Sequence, residues 1–359
     1  MHSDRNSHRP WRAYIGSFTS EGGAGVTVAD LDMSTGALAT AGSVGSPTDP
    51  SYLAVAPDRG TLYAVSETGH GAAAAFALDE TGPPRLLGTP RLLGGAGPTH
   101  LAVAAGHLVT AQYTDGTVAT LRIGADGGLQ GRARVLRHEG SGPDPDRQRG
   151  PHAHQVVPAP QGPWVLGVDL GADVVRTLAL DPASGELRVH GETGMRPGSG
   201  PRQLAFHPSG EYFYVLGELD PALTVCRWNA REGRAEVLAE VAVAGHGFPG
   251  HDPDRPPRAY PSAVVVDPGG RFLWVAVRGT DEIAVLDLAD GPDLPRLRST
   301  VDSGGSWPRD LELDPTGRWL YAAHERSGEV SWFDLDLTTG VPRLAGSVPV
   351  AAATCVVFG

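Results

Sequence analysis

Several things are scarce in this chain, and each scarcity narrows what it can be. Only two cysteines occur in 359 residues. Cys226 and Cys355 lie far apart in apolar, strand-like runs, which reads as two buried thiols rather than a disulfide framework. No run of 18 apolar residues is present, so no membrane helix is expected. The first residues, "MHSDRNSHRPWR", are polar, with no apolar segment behind them; this argues against a secretory leader and for a cytoplasmic address. Basic residues are in deficit, with 29 Lys and Arg against 41 Asp and Glu and a net charge of −12. That balance argues against a nucleic acid or an anionic membrane as partner. A small anionic substrate remains compatible, because a few local arginines can outweigh the global sign.

Familiar chemical motifs are missing too. There is no G-x-S-x-G elbow, no C-x-x-C pair and no H-E-x-x-H; "HEGSG" at 138 lacks the second histidine. "GGAG" at 22–25 reads as a turn and not as a dinucleotide fingerprint. His152 and His154 in "PHAH" could share one side of a strand and hold a metal. No obvious third ligand follows, although Asp169 or His100 could lie near, so neither metal nor cofactor is expected. What remains is His, Glu and Arg, which suffices for acid–base chemistry and anion binding.

Glycine (49) and proline (31) are abundant, and they fall in a pattern. Six segments open on a proline: Pro50, Pro98, Pro151, Pro201, Pro261 and Pro308, at intervals of 48, 53, 50, 60 and 47 residues. In four of them a second proline follows seven residues later (Pro57, Pro208, Pro268, Pro315) and opens a turn such as "PSGE" or "PGGR". Runs such as "LAFH" and "FYVL" around these turns have strand length and strand composition. Two further strand-like runs follow each hairpin, and helix-period segments are almost absent. Four strands per ~45–50 residues is the period of a propeller blade. Residues 13 to 45 supply three more strands and the tail "ATCVVFG" a fourth. The expected fold is therefore all-β: a seven-bladed β-propeller over residues 13–359, its ring closed by pairing N- and C-terminal strands in one blade. Residues 1–12 are expected to form a flexible segment ahead of it. A pair of stacked β-sandwiches is the competing architecture, and the sustained single repeat argues against it.

In such a blade the first strand lines the central channel and the second runs antiparallel to it. The start of the first and the end of the second share a face. That places Arg202 with Glu218, and puts Arg278, Asp169, His152, His154, His100 and Arg309 on the same face. Glu67, His324 and Glu325, at the ends of second strands, join them. Charged strand ends are often merely solvated or paired between blades. Their concentration at one channel mouth favours a ligand site. Two long polar loops, 137–154 and 244–261, are expected on that face as binding loops.

The whole pattern, from "YIGSFTS" through "RQRGPHAHQV", "DLGAD", "GPRQLAFHPSGEYFYVLGEL" and "WPRDLELDPTGRWLYAA" to "TCVVF", resembles the lactonase family of seven-bladed propellers. That family includes propeller-type 6-phosphogluconolactonases and carboxymuconate lactonizing enzymes. The resemblance implies catalytic roles for His154, Arg202, Glu218 and Arg278, with His152, Asp169, His100, Arg309, Glu67 and Glu325 as substrate-binding neighbours. It implies a small-molecule substrate and lactone hydrolysis, with lactone formation, another cyclisation and a non-catalytic interaction scaffold as alternatives. A monomer or homodimer is expected. At "AHERSG" the chain carries bulkier, charged residues than the usual polar run of the family.

Overall fold

The computed structural model describes residues 11–243 and 258–359. Seven antiparallel sheets follow one another around a central channel. Blade 1 combines the C-terminal strand Ala353–Phe358, innermost, with Arg12–Ser17, Val26–Leu31 and Leu38–Val44. Blades 2 to 7 open on inner strands Leu53–Val55, Pro98–Ala104, Ala153–Pro158, Pro201–Phe206, Tyr260–Val266 and Pro308–Leu313. Each then continues outward in chain order. The outer edge of blade 2 is split into Arg85–Leu86 and Arg91–Leu92, both paired with Ala72–Ala77. The one helical element among the described residues is a short 3-10 turn, Thr19–Glu21.

Ring closure follows the expected route. Ala13 pairs with Phe358, Tyr14 with Val357 and Gly16 with Cys355, so the two chain ends are held in one sheet. The first strand begins at Arg12, one residue before the expected boundary, and residues 1–10 of the expected flexible segment lie outside the described residues. At the seam the packing allows no side chain at position 16. A Cβ on Gly16 would lie 2.4 Å from the Pro50 carbonyl oxygen and 2.8 Å from Cys355 Sγ. Gly16→Ala is therefore expected to destabilise the fold by about 1–3 kcal/mol through overpacking, read as a lower urea midpoint.

The hydrophobic core is divided into seams between neighbouring blades. Tyr14, Val28, Leu53, Leu62 and Phe76 fill the one between blades 1 and 2, and Tyr214, Leu223, Leu273 and Val275 the one between blades 5 and 6. The aromatic richness of the second strands has a specific use here. Tyr63, Tyr214 and Tyr321 hydroxyls donate to carbonyls in the outer turn of the following blade (Gly127 at 3.0 Å, Pro292 at 2.8 Å, Gly36 at 2.7 Å), and the Trp164 and Trp274 indoles do the same to Ala230 and Gly340, each at 2.7 Å. Each ring packs as apolar bulk, Trp164 half-buried and the others buried, while its polar tip staples two blades together.

Candidate active site

The inner hairpins bring their strand ends to one channel mouth. Pairing of Pro201 with Gly217 sets Arg202 and Glu218 side by side, and pairing of Tyr260 with Arg278 delivers the second arginine from the next blade. Glu218 is the hub. One carboxylate oxygen lies 3.0 Å from Arg202 Nε and 2.9 Å from Arg278 Nη2; the other accepts a 2.7 Å hydrogen bond from Arg147 Nη2. The Arg202 and Arg278 contacts are close ion pairs rather than aligned hydrogen bonds. Arg202 is fixed further by a hydrogen bond from Nη1 to the Ser262 carbonyl.

Burial sets the electrostatics. It opposes ionisation of Glu218, but Arg278, Arg202 and Arg147 outweigh it and hold the carboxyl well below the usual range. Arg202 is pushed down by burial and by the like charge of Arg278, with Glu218 opposing. Three guanidinium groups share one carboxylate, so the cluster carries surplus positive charge. His154, on the neighbouring inner strand, is buried and its Nδ1 has no hydrogen-bond partner among the described residues. Burial first, and then the charge of Arg202, press its pKa well below the ordinary histidine value, so the ring is neutral at neutral pH.

The sequence reading did not single out Arg147. It stands in the loop between blades 3 and 4, and its side chain is 37% exposed, so it can reach both the cluster and solvent. It donates to the Tyr113 hydroxyl at 3.1 Å as well as to Glu218. Burial works against its charge, but Glu218 and Tyr113 outweigh that and raise its pKa. The loop is a built structure. Gln148, fully buried, donates to the Leu170 carbonyl at 2.8 Å and accepts from the Asp144 amide at 3.1 Å. Of the second expected binding loop, residues 244–257 lie outside the described residues.

The remaining expected residues divide into three groups. His152 faces the mouth, stacked on Tyr113 with centroids 4.5 Å apart and its Nδ1 2.8 Å from the Tyr113 carbonyl. Arg309 forms a separate cluster, 2.8 Å from Glu325 and 3.5 Å from Glu67, with its guanidinium 5.0 Å from the Phe18 ring centre. His100 is buried against Tyr52 at 4.0 Å, and burial and Arg202 press its pKa to about 3. Asp169 does not reach the mouth as a ligand contact. It has no exposed surface, and its carboxylate is engaged by His138 at 2.8 Å, Arg176 at 2.6 Å and the amides of His152, Gly171 and Ala172. Its place is underneath, holding the His152 backbone in position. His324 is likewise fully buried, with neither ring nitrogen partnered among the described residues. No group of three or more metal-ligating side chains occurs among the described residues.

The fold is a seven-bladed propeller with an arginine-rich cluster around Glu218 at one mouth of its channel. The chain belongs to the lactonase, 7-bladed beta-propeller family, whose model matches residues 12–358. It is 31% identical over 301 residues to the 6-phosphogluconolactonase of Bacillus subtilis, covering 83% of each chain. Among solved structures it is similar to a periplasmic gluconolactonase of Pseudomonas aeruginosa, with 27% identity, a TM-score of 0.88 and coverage of 97% of this chain and 98% of the other. A Lactobacillus plantarum protein is alike at 28% identity and a TM-score of 0.88, covering 98% and 99%. No helix of the described residues is long and apolar enough to cross a membrane.

Proposed function

We propose that this protein hydrolyses a small, anionic sugar-derived lactone at the Glu218 cluster. The observation that carries this reading is the neutral, buried His154 set on the same channel mouth as arginines that outnumber their one carboxylate. Relatives named 6-phosphogluconolactonase and gluconolactonase support the substrate class. Arg202 and Arg278 orient the anionic ligand and stabilise charge developing on the carbonyl oxygen, where one well-placed donor contributes about 3–4 kcal/mol. His154 accepts a proton from the attacking water as its oxygen bonds to the carbonyl carbon. The ring C–O bond then breaks, and the imidazolium returns the proton to the departing ring oxygen. The product is the open hydroxy acid. Glu218, held ionised by three arginines, is a weak base and serves to fix the guanidinium groups.

The test is a panel of sugar and simple lactones assayed with wild type, His154→Ala and Glu218→Gln. Turnover of a sugar lactone by wild type and its loss in both variants is the expected result. No turnover of any lactone, or variants equal to wild type on the true substrate, would sink the assignment.

A further inference from the structure

Trp307 sits where the backbone does not favour it. The residue just before an inner strand has a positive φ in four blades: Gly97, Gly200, Trp307 and Ala352. Glycine at 97 and 200 takes that conformation without strain. Tryptophan at φ 66° does not, and the following Pro308 restricts it further. The Trp307 amide is anchored on Asp281 at 2.8 Å. A bulky residue kept in a left-handed conformation points to a use for its side chain.

The use is visible in what the indole touches. The Arg326 guanidinium lies 3.4 Å from the ring centre, and that of Arg278, already placed against Glu218, lies 5.4 Å away. One ring thus holds two cations side by side. They differ in their partners. Arg278 is paired with Glu218, whereas Arg326 is exposed and has no carboxylate partner among the described residues.

We propose that Trp307 is a specificity-determining residue: its strained backbone presents the indole as a shelf that holds Arg326 as a free cation beside Arg278, and the site therefore prefers ligands bearing a second anionic group. This rests on the reading of the Glu218 cluster as a binding site for sugar acids and their lactones. The second group can be a carboxylate or a phosphate, since a guanidinium fork suits both.

The experiment measures calorimetric affinity for D-gluconate, D-glucarate and D-gluconate 6-phosphate, which present one anionic group, a second carboxylate and a phosphate. Wild type is expected to bind the two doubly anionic acids about tenfold more tightly than gluconate. Arg326→Ala is expected to reduce that preference to about threefold or less while leaving gluconate affinity unchanged, and Trp307→Gly to reduce the preference as far. Trp307→Phe, which keeps a ring under Arg326, retains most of the preference. Trp307→Gly should also melt higher than Trp307→Ala, because only glycine relieves the left-handed backbone. A preference for only one of the two acids identifies the second group as carboxylate or phosphate and supports the proposal. A wild type that does not discriminate, or a preference that survives Arg326→Ala, overturns it. So does an equal loss of gluconate binding in Arg326→Ala, or a Trp307→Phe variant that loses the preference as fully as Trp307→Gly. If no sugar acid binds but a lactone is turned over, only this inference fails; if neither occurs, the site reading fails with it.

Discussion

Glu218→Gln is expected to cost more than any other single change at the channel mouth. The amide leaves Arg147, Arg202 and Arg278 facing one another without an anion, two of them buried. Breaking a buried ion pair by removing one partner costs about 3–5 kcal/mol. The loss should depend on pH in a defined direction. The folded-state pKa of Glu218 lies below its unfolded value of about 4.3. Its contribution is therefore complete above that value and is lost as pH falls towards the folded pKa. Urea unfolding at pH 7 should separate wild type from Glu218→Gln widely, and the gap should narrow at pH 3. Added phosphate should raise the stability of the variant more than that of wild type, because the vacated cluster becomes an anion site. Equal stability at pH 7 would show that the carboxylate is not the electrostatic hub described above.

The repeat was legible because propeller geometry writes itself into sequence at fixed intervals. Six of the seven inner strands are marked by a proline at or near their start, four of these by a turn proline seven residues on, and the second strands supply bulk to fill a seam. Pro201, "PSGE" and "FYVL" state all three within one hairpin. The pairing of Arg202 with Glu218 followed from the antiparallel return alone, with no knowledge of side-chain direction. Arg278 could be placed by the same logic, and its ion pair with Glu218 joins two blades.

Three things were not legible, for physical reasons. Arg147 lies in an irregular loop, where no periodicity fixes direction; only the folded path around Gln148 and Asp144 brings it to Glu218. Asp169 reads as a mouth residue from its register, yet a strand-end carboxylate can turn inward when amides and an arginine wait beneath it. The backbone at Trp307 is invisible in sequence, because a left-handed residue is recognisable only when it is glycine. Its neighbourhood could have raised suspicion: a tryptophan stands where three other blades carry glycine before the same proline, at Gly97, Gly150 and Gly200.

His154→Ala is expected to separate catalysis from architecture. The ring is buried, but its Nδ1 carries no hydrogen bond among the described residues, so little polar bonding is lost when it goes. If His154 carries the proton, kcat/KM on the lactone that wild type turns over should fall by about 10²–10⁴. The melting temperature should drop far less than in Glu218→Gln, because no buried ion is left unpaired. The pH profile of wild type gives an independent reading. Burial and Arg202 press the His154 pKa below the ordinary histidine value of about 6.5. The imidazole is thus already the free base at pH 6.5, and kcat/KM should stay level through that pH and decline only further into acid. An acid limb centred near 6.5 would mean that the histidine is neither buried nor crowded by arginine during turnover. In His154→Ala that limb should vanish, leaving a residual rate that rises with hydroxide. Retention of the limb in the variant would move the proton to Glu218, and the three arginines around that carboxylate would then need another explanation.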